Sequence, residues 1–211
     1  MPQVPDLVVS LIADIDSAKQ LIVERAKELY SRGLFSTSGG NISARVGDTI
    51  VMTPRRASEG GWRIDVQDLT TCDLEGNIIQ KGRGPSIDLD LHLVAYNTLP
   101  AKGAIHSHHP LPSAFAFAGV PLVTQEGGEW RGLDRIPLIP YAPPGSTELT
   151  AHLIEGFQQL RETFQKHRYG IVLMKKHGAF IVGENVDAAI RAYDRLVETS
   201  LLVILQKTIQ L

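Results

Sequence analysis

Helical and extended hydrophobic patterns alternate along the whole chain, with glycine or proline at most of the transitions. The first helix is predicted over residues 16–32, with Ser17 as its N-cap and Gly33 as its stop. Strands are predicted at 42–46, 49–53, 103–108, 136–140, 171–175 and 179–182, and further helices at 86–99, at 146–167 and after Asn185. Several strands are close enough to form hairpins, which disfavours a doubly wound parallel sheet. The pattern predicts one α/β domain, residues 1–211, whose mostly antiparallel or mixed sheet is flanked by helices.

Composition removes several classes of function. Hydrophobic residues make up 43% of the 211 residues, enough for a core without disulfides or a structural metal, and Cys72 is the one cysteine. The net charge is −2, so no charge excess points to nucleic acid or to a membrane surface. No apolar run reaches the ~20 residues of a membrane span, and the N-terminus lacks the basic start of a signal peptide. We therefore expect a soluble, cytoplasmic protein with no nucleic-acid or membrane partner.

A His-x-His pair in the predicted strand 103–108 is the most unusual feature of the sequence. Residues two apart on a strand point to the same side, so His106 and His108 can hold one ion between them. Neutral imidazole is a good ligand for zinc and other late first-row metals. A lone histidine on such a face is more often a core residue than a ligand, but two polar rings on one face favour a metal site.

A catalytic zinc site usually has three protein ligands and one open position, so a third ligand must come from elsewhere. His177 is the first candidate, because it follows a predicted strand and precedes Gly178, which permits close backbone approach. His92, in the helix predicted upstream, is the second. The remaining histidines are expected to leave the metal untouched, with His109 beside the site or in solvent and His152 and His167 on a helix surface.

Two polar segments could bind an anion. The Ser-Thr-Ser-Gly-Gly-Asn segment at 36–41 can direct several backbone N–H groups at one phosphate, although such clusters are more often plain turns. Arg55 and Arg56 could pair with a phosphate or a carboxylate, or could belong to a solvated loop.

Three acidic residues are candidates for proton transfer. Asp88 falls in the first turn of the helix predicted after Pro85, where the helix dipole favours a carboxylate. It could instead act as a general base beside a metal ion. Glu126 and Glu129 lie in a glycine-containing segment, where they could exchange protons with a substrate or simply keep the loop soluble.

Together, these motifs occur in an order that resembles the class II aldolase/adducin family, which includes metal-dependent sugar-phosphate aldolases. In chain order they are Ser38-Gly39-Gly40-Asn41-Ile42-Ser43, Thr53-Pro54, Pro85-Ser86 with an acid two positions on, His106-Ser107-His108, Pro140-Tyr141-Ala142 with Gly145, and His177-Gly178. Only the N-terminal residues and the end of the last helix lie outside the match. The resemblance implies an α/β/α domain and a cyclic homotetramer with active sites between subunits.

The resemblance also implies roles for individual residues. His106, His108 and His177 would bind a divalent ion, usually zinc, with Mn²⁺, Co²⁺ or Fe²⁺ as alternatives. Asp88 would be the general base. The substrate phosphate would be held by Gly40, Asn41 and Ser86, to which we add Ser38 from the same motif and Arg55 from the adjacent loop.

The expected function is that of a metal-dependent aldehyde-lyase of the L-fuculose-phosphate aldolase type. Such an enzyme cleaves a phosphorylated ketose by retro-aldol chemistry through a metal-stabilised enediolate. A sugar-phosphate 4-epimerase, a dehydratase, a decarboxylase and a non-catalytic adducin-like binding protein are the alternatives. Three departures from the aldolase pattern stand out: Asp88 is shorter than the usual glutamate, Ile87 replaces a serine, and Arg55-Arg56 replace a small Thr/Ser-Gly pair. The segment in which the epimerases carry an essential acid is missing, which disfavours the epimerase.

Overall fold

Eight strands and six helices occur in the computed structural model, which describes residues 4–123, 133 and 136–209. The helices are α1 (Val4–Ser31), α2 (Leu89–Thr98), α3 (Pro110–Ala118), α4 (Thr147–Gln159), α5 (Arg161–His167) and α6 (Val186–Ile209). The strands are β1 (Asn41–Val46), β2 (Thr49–Met52), β3 (Thr70–Asp73), β4 (Ile78–Gln80), β5 (Gly103–Ser107), β6 (Leu138–Ile139), β7 (Tyr169–Met174) and β8 (Gly178–Gly183). None of the described helices combines the length and the apolarity that crossing a membrane requires.

All eight strands form one sheet in the order β4-β3-β2-β1-β5-β8-β7-β6. Every neighbouring pair is antiparallel except β6 and β7, which run parallel. β5 lies between β1 and β8, with Asn41 opposite His106 and Ser107 opposite Ala179. The prediction of a mixed, mostly antiparallel sheet in a single α/β domain is therefore confirmed.

Helices cover both faces of the sheet, and every residue of the central strands β5 and β8 is buried. Side chains alternate between the two faces along β8: Ile181 packs into one core with α1, α3 and α6, whereas Phe180 and Val182 pack into a second core with α2, α4 and α5. The result is a three-layer α/β/α arrangement. The middle of the sheet, where β1, β5 and β8 meet, is thus buried between helices on both faces.

Sequence patterns placed two helices wrongly and missed two strands and one helix. α1 begins at Val4 rather than at residue 16, so Ser17 is an interior helix residue and not a cap. Pro5 falls in the first turn, where its missing N–H is tolerated. The helix predicted at 146–167 is two helices, α4 and α5, which meet at Leu160, a buried residue whose ψ is 0°. The strands β3 and β4 and the helix α3 were not predicted, although Pro110 and Gly119 are ordinary start and stop signals for α3.

Candidate metal centre

Three histidines converge at one end of β5. His106 is the fourth residue of β5, His108 follows the end of that strand, and His177 lies in the tight turn between β7 and β8. The ring centroids of His106 and His177 are 4.7 Å apart, and those of His108 and His177 are 5.3 Å apart. One nitrogen from each ring lies within 4.8 Å of the other two, so the three residues form a group that could bind one metal ion.

The backbone around Gly178 explains how His177 reaches the other two histidines. The turn is closed by a hydrogen bond from the His177 N–H to the Met174 carbonyl, and Lys176 adopts a left-handed φ of 57°. Gly178 lies so close to β5 that a Cβ there would stand 2.4 Å from the Ser107 carbonyl oxygen and 3.0 Å from His108 Cδ2. The close approach that the sequence predicted for Gly178 is confirmed, and it brings the turn against the end of β5.

Hydrogen bonds to backbone carbonyls fix the tautomers of two of the rings. His106 Nδ1 lies 3.0 Å from the Ala179 carbonyl oxygen, and His108 Nδ1 lies 3.2 Å from the carbonyl oxygen of Ser38. A carbonyl only accepts, so in the neutral rings both Nδ1 atoms carry the proton and both Nε2 atoms carry a lone pair. The two Nε2 atoms are 2.8 Å apart, an arrangement that suits two ligands of one cation.

The charge state of the group also fits metal binding. Burial, with the neighbouring rings of His108 and His177, lowers the pKa of His106 well below its usual value, and burial likewise lowers the pKa of His177. Both rings are therefore neutral near pH 7, as a ligand must be. The Nδ1 atom of His177 is buried and has no hydrogen-bond partner among the described residues. An all-nitrogen donor set of this kind fits a divalent late first-row metal.

Asp88 lies beside the histidines. It occupies the N-cap position of α2, one residue before the first turn in which the sequence placed it, and its side chain makes no capping hydrogen bond. Instead, Oδ2 accepts a hydrogen bond of 2.7 Å from Asn41 Nδ2 and stands 4.0 Å from His106 Nε2. Oδ1 accepts no hydrogen bond from the described part of the chain. The carboxylate is buried, yet it lines a cavity next to the histidine group.

That cavity has a volume of ≈ 350 Å³ and is lined by every residue predicted to hold phosphate, namely Ser38, Gly40, Asn41, Arg55 and Ser86. His108 and Asp88 also line the cavity, on the side of the three histidines. Two loops are tied together at its rim, because the Arg55 N–H donates to the Gly84 carbonyl over 2.8 Å and Pro54 pairs with Pro85 as an isolated bridge. Residues that are 48 positions apart in sequence, Ser38 and Ser86, thus face one space.

Gly39 has a steric reason to be glycine. Its φ is +129°, and a Cβ at this position would stand 2.8 Å from His108 Nδ1. The polar segment therefore packs directly on a histidine of the group, with the Ser38 carbonyl oriented toward that ring.

The two arginines of the cavity rim differ. Arg56 is paired with Glu59, with Nε 2.7 Å from Oε1 and 2.8 Å from Oε2, so its charge is already satisfied on an exposed loop. Arg55 is exposed, lines the cavity and makes no side-chain hydrogen bond within the described residues. Of the pair, Arg55 is the side chain available to an anionic ligand.

The other histidines named from the sequence stand outside the group. His92, the second candidate for the third ligand, is fully buried and hydrogen-bonds to Asn41 and Ser43. The sequence analysis did not predict its hydrogen bond to Asn41. The available signal was its spacing of four residues from Asp88, which places the two residues on the same side of α2 at its start. His109 is the N-cap of α3, and its Nδ1 accepts the Leu111 N–H. His152 and His167 are half-buried on α4 and α5, and Glu126 and Glu129 lie outside the described residues.

Comparison with known proteins identifies several relatives. The chain is 30% identical over 177 residues to an L-fuculose phosphate aldolase of Methanocaldococcus jannaschii, a match that covers 82% of this chain and 88% of that protein. It is 27% identical to a methylthioribulose-1-phosphate dehydratase of Acidiphilium cryptum, covering 84% of this chain and 89% of the relative. It is 28% identical to a 3-oxo-tetronate 4-phosphate decarboxylase of Pectobacterium atrosepticum, covering 88% and 83%.

The fold has counterparts among solved structures. That of an L-fuculose-1-phosphate aldolase from Thermus thermophilus superposes with a TM-score of 0.75 at 23% identity, covering 94% of this chain and 96% of the other. The sequence model of the family described as Class II Aldolase and Adducin N-terminal domain matches residues 20–203. The chain belongs to the class II aldolase/adducin family.

Proposed function

We propose that this protein is a divalent-metal-dependent lyase that cleaves a phosphorylated ketose by retro-aldol chemistry. The observation that carries the proposal is that Asp88 stands 4.0 Å from His106, between the histidine group and a cavity lined with polar groups suited to phosphate. An acid/base group, a metal-type centre and an anion cradle are the parts that such a cleavage needs. The resemblance of the motifs and a relative named L-fuculose phosphate aldolase support the same reaction.

His106, His108 and His177 would hold the ion, for which we propose zinc, with Mn²⁺, Co²⁺ or Fe²⁺ as alternatives. When bound, the ion supplies Lewis-acid stabilisation of the negative charge that develops on the substrate as its carbon–carbon bond breaks. Three nitrogen ligands leave a coordination position open, which a site of this class requires.

Asp88 exchanges the proton at the reacting carbon. Asn41 holds its Oδ2, and Oδ1 accepts no hydrogen bond from the described residues, which leaves that oxygen for the substrate. Because Asp88 precedes α2 directly and does not cap it, its carboxylate is turned toward His106.

The substrate phosphate is placed by the two loops that line the cavity. Backbone N–H groups around Gly40 and the hydroxyl groups of Ser38 and Ser86 are neutral donors, and Arg55 adds a positive charge. Fixing the phosphate fixes the reacting carbon relative to Asp88, which lowers the entropic part of the barrier.

We also propose a homotetramer with active sites between subunits, and a cytoplasmic location. The tetramer rests on the family resemblance. The location suits a substrate whose phosphate charge keeps it from crossing a membrane.

The decisive experiment is a substrate panel with a matched pair of variants. Wild-type protein is assayed with fuculose 1-phosphate, ribulose 1-phosphate and their 5-deoxy analogues, and the carbonyl products are identified. Asp88→Asn is expected to lower kcat by about 10²- to 10⁴-fold, since it removes the carboxyl group that delivers a proton to the reacting carbon during cleavage. Asp90→Asn, two residues on, changes an exposed acid in the first turn of α2 and is expected to leave kcat unchanged.

The products also separate the alternatives. Dehydrated product from a methylthio-ribulose phosphate, or carbon dioxide from a 3-oxo acid phosphate, without cleavage of the ketoses, would replace the aldolase by a dehydratase or a decarboxylase. An epimeric product would indicate the epimerase. No turnover of any substrate, with no divalent metal in protein purified without chelator, would favour an adducin-like binding protein.

A further inference from the structure

A buried chain of hydrogen bonds runs from the core to Asp88. Tyr96 OH lies 2.7 Å from Ser43 Oγ, which lies 2.6 Å from His92 Nδ1. His92 Nε2 lies 2.5 Å from Asn41 Oδ1, and Asn41 Nδ2 donates to Asp88 Oδ2 over 2.7 Å. All five side chains are buried, and Ser43 and His92 are fully so. Only Asn41 and Asp88 reach the cavity; the other three residues line none of it.

The direction of each hydrogen bond follows from the groups involved. Asn41 Oδ1 only accepts, so His92 Nε2 carries a proton and donates it. Burial lowers the pKa of His92 to about 3, so the ring is neutral near pH 7 and its Nδ1 is an acceptor. The Ser43 hydroxyl therefore donates to His92 Nδ1 and accepts from the Tyr96 hydroxyl. In this arrangement, both ring nitrogens of His92 and the hydroxyl group of Ser43 have hydrogen-bond partners.

This arrangement selects one of two orientations of the Asn41 amide. The oxygen and the NH₂ group of an asparagine exchange places on a half-turn, with almost no change in shape. In the reversed orientation, Oδ1 would face the Asp88 carboxylate, which is a repulsive contact. The NH₂ would face His92 Nε2, so the ring proton would have to lie on Nδ1 and the Ser43 hydroxyl would have to donate to Tyr96. The Tyr96 hydroxyl hydrogen would then have no acceptor among the described residues. Asp88 therefore favours the observed orientation of the Asn41 amide from one side, and His92 favours it from the other.

We propose that His92 is a positioning residue, which holds the Asn41 amide so that its NH₂ fixes Asp88 and reaches Ser86. His92 itself touches neither substrate nor metal, and it acts through Asn41. The catalytic consequence rests on the function proposed above. The orientation of the amide does not, because it follows from hydrogen bonds within the chain.

Two amide substitutions at position 92 separate the two nitrogens of the ring. In His92→Gln the side-chain NH₂ reaches the place of Nε2 and keeps a donor for Asn41. In His92→Asn the amide oxygen takes the place of Nδ1, so it keeps the acceptor for Ser43 and loses the donor. Both variants remove the ring that packs against Phe180, at 4.9 Å between centroids, so they share the loss of packing.

We expect His92→Asn to have a kcat about 10- to 100-fold below that of His92→Gln, at equal metal content and similar thermal midpoint. A role in packing alone would lower kcat equally in both, and equal values would overturn the proposal. The same holds if the glutamine variant is the less active one.

A second measurement keeps the proposal testable if neither variant folds or if the wild type shows no lyase activity. In wild-type protein labelled with [¹⁵N]histidine, nitrogen shifts and couplings report which ring nitrogen of each neutral histidine carries the proton. We expect His92 to be neutral at pH 7 with the proton on Nε2. A proton on Nδ1, or a charged ring, would refute the orientation argument. The absence of cleavage with an Nε2–H ring would refute only the proposed function.

Discussion

His177 joins the other two histidines from a turn that is 69 residues beyond His108 in sequence. Its Nδ1 is buried without a hydrogen-bond partner among the described residues, whereas the Nδ1 atoms of His106 and His108 each face a carbonyl. A buried, unpaired ring nitrogen is unfavourable by itself. A metal ion bound by His177 together with His106 and His108 would give that nitrogen a partner.

At this scale the first prediction concerns metal content. Wild-type protein purified without chelator is expected to hold about one divalent ion per chain, and His177→Ala to bind it at least ~100-fold more weakly, because a ligand is lost. His152→Ala, which changes a half-buried histidine of α4 outside the group, is the matched control and should bind as the wild type does. Mass spectrometry of the metal content and a chelator titration check both. Equal metal content in wild type and His177→Ala would contradict the assignment.

At the scale of elements, the pairing of β5 with β8 determines the site, because it brings the end of β5 against the β7–β8 turn. The contact is tight at Gly178, where the backbone leaves no room for a Cβ. Packing between two central strands is therefore linked directly to the position of the neighbouring ligand, His177.

The second prediction follows from that contact. Gly178→Ala is expected to lower the free energy of unfolding by about 1–3 kcal/mol through overpacking, and to weaken metal binding, because the turn must move away from Ser107. Gly60→Ala is the control, since a Cβ there meets no atom within 4 Å and the residue needs no left-handed φ. Denaturant unfolding with and without bound metal measures both effects. A Gly178→Ala protein with unchanged metal affinity would show that the turn position does not matter.

Local patterns predicted some elements well and others poorly. The strands that carry the histidines are apolar with clear breaks, and the cap at Asn185 is confirmed, since its Oδ1 accepts the Ala188 N–H over 2.8 Å. β3 was missed because Thr70-Thr71-Cys72-Asp73 has no long apolar run, and it is stabilised by pairing with β2 and β4. Secondary structure that depends on such partners cannot be recognised in a single segment.

Some parts of the candidate site could likewise be predicted from local patterns, and others could not. His106 and His108 were predicted as a pair, since alternation along one strand is a local property. His177 could only be ranked ahead of His92, because the choice depends on which strands are neighbours in the sheet. The hydrogen bonds that link Asn41 with Asp88 and with His92 join residues 47 and 51 positions apart, and no periodicity reports contacts of that range. The roles of Asp88 and of the phosphate-type residues stay predictions.

At the scale of the whole molecule, apolar side chains remain on the surface. Phe117 is 60% exposed, Val123 62% and Leu202 54%. Exposed apolar side chains mark contacts with another chain when they form a contiguous patch. These positions are compatible with the proposed assembly of four copies.

The third prediction is that light scattering coupled to size exclusion gives a mass of about 92 kDa, four times the 23.1 kDa of one chain. The measurement is made at two protein concentrations and at low and high salt, since apolar contacts should resist salt. A mass of 23.1 kDa at both concentrations would contradict the tetramer and would require each cavity to be complete within one chain.

The histidine group and the anion cradle are carried by different kinds of backbone. His106 lies in a buried central strand, and His108 and His177 directly adjoin the ends of such strands, whereas the residues around Ser38, Arg55 and Ser86 belong to loops. Loops tolerate substitution far better than core strands do. If the proposed function holds, selection can alter which molecule is turned over by changing a few loop residues, at little risk to folding. In a chain built this way, the chemistry would be inherited with the core, and substrate preference would evolve independently of it.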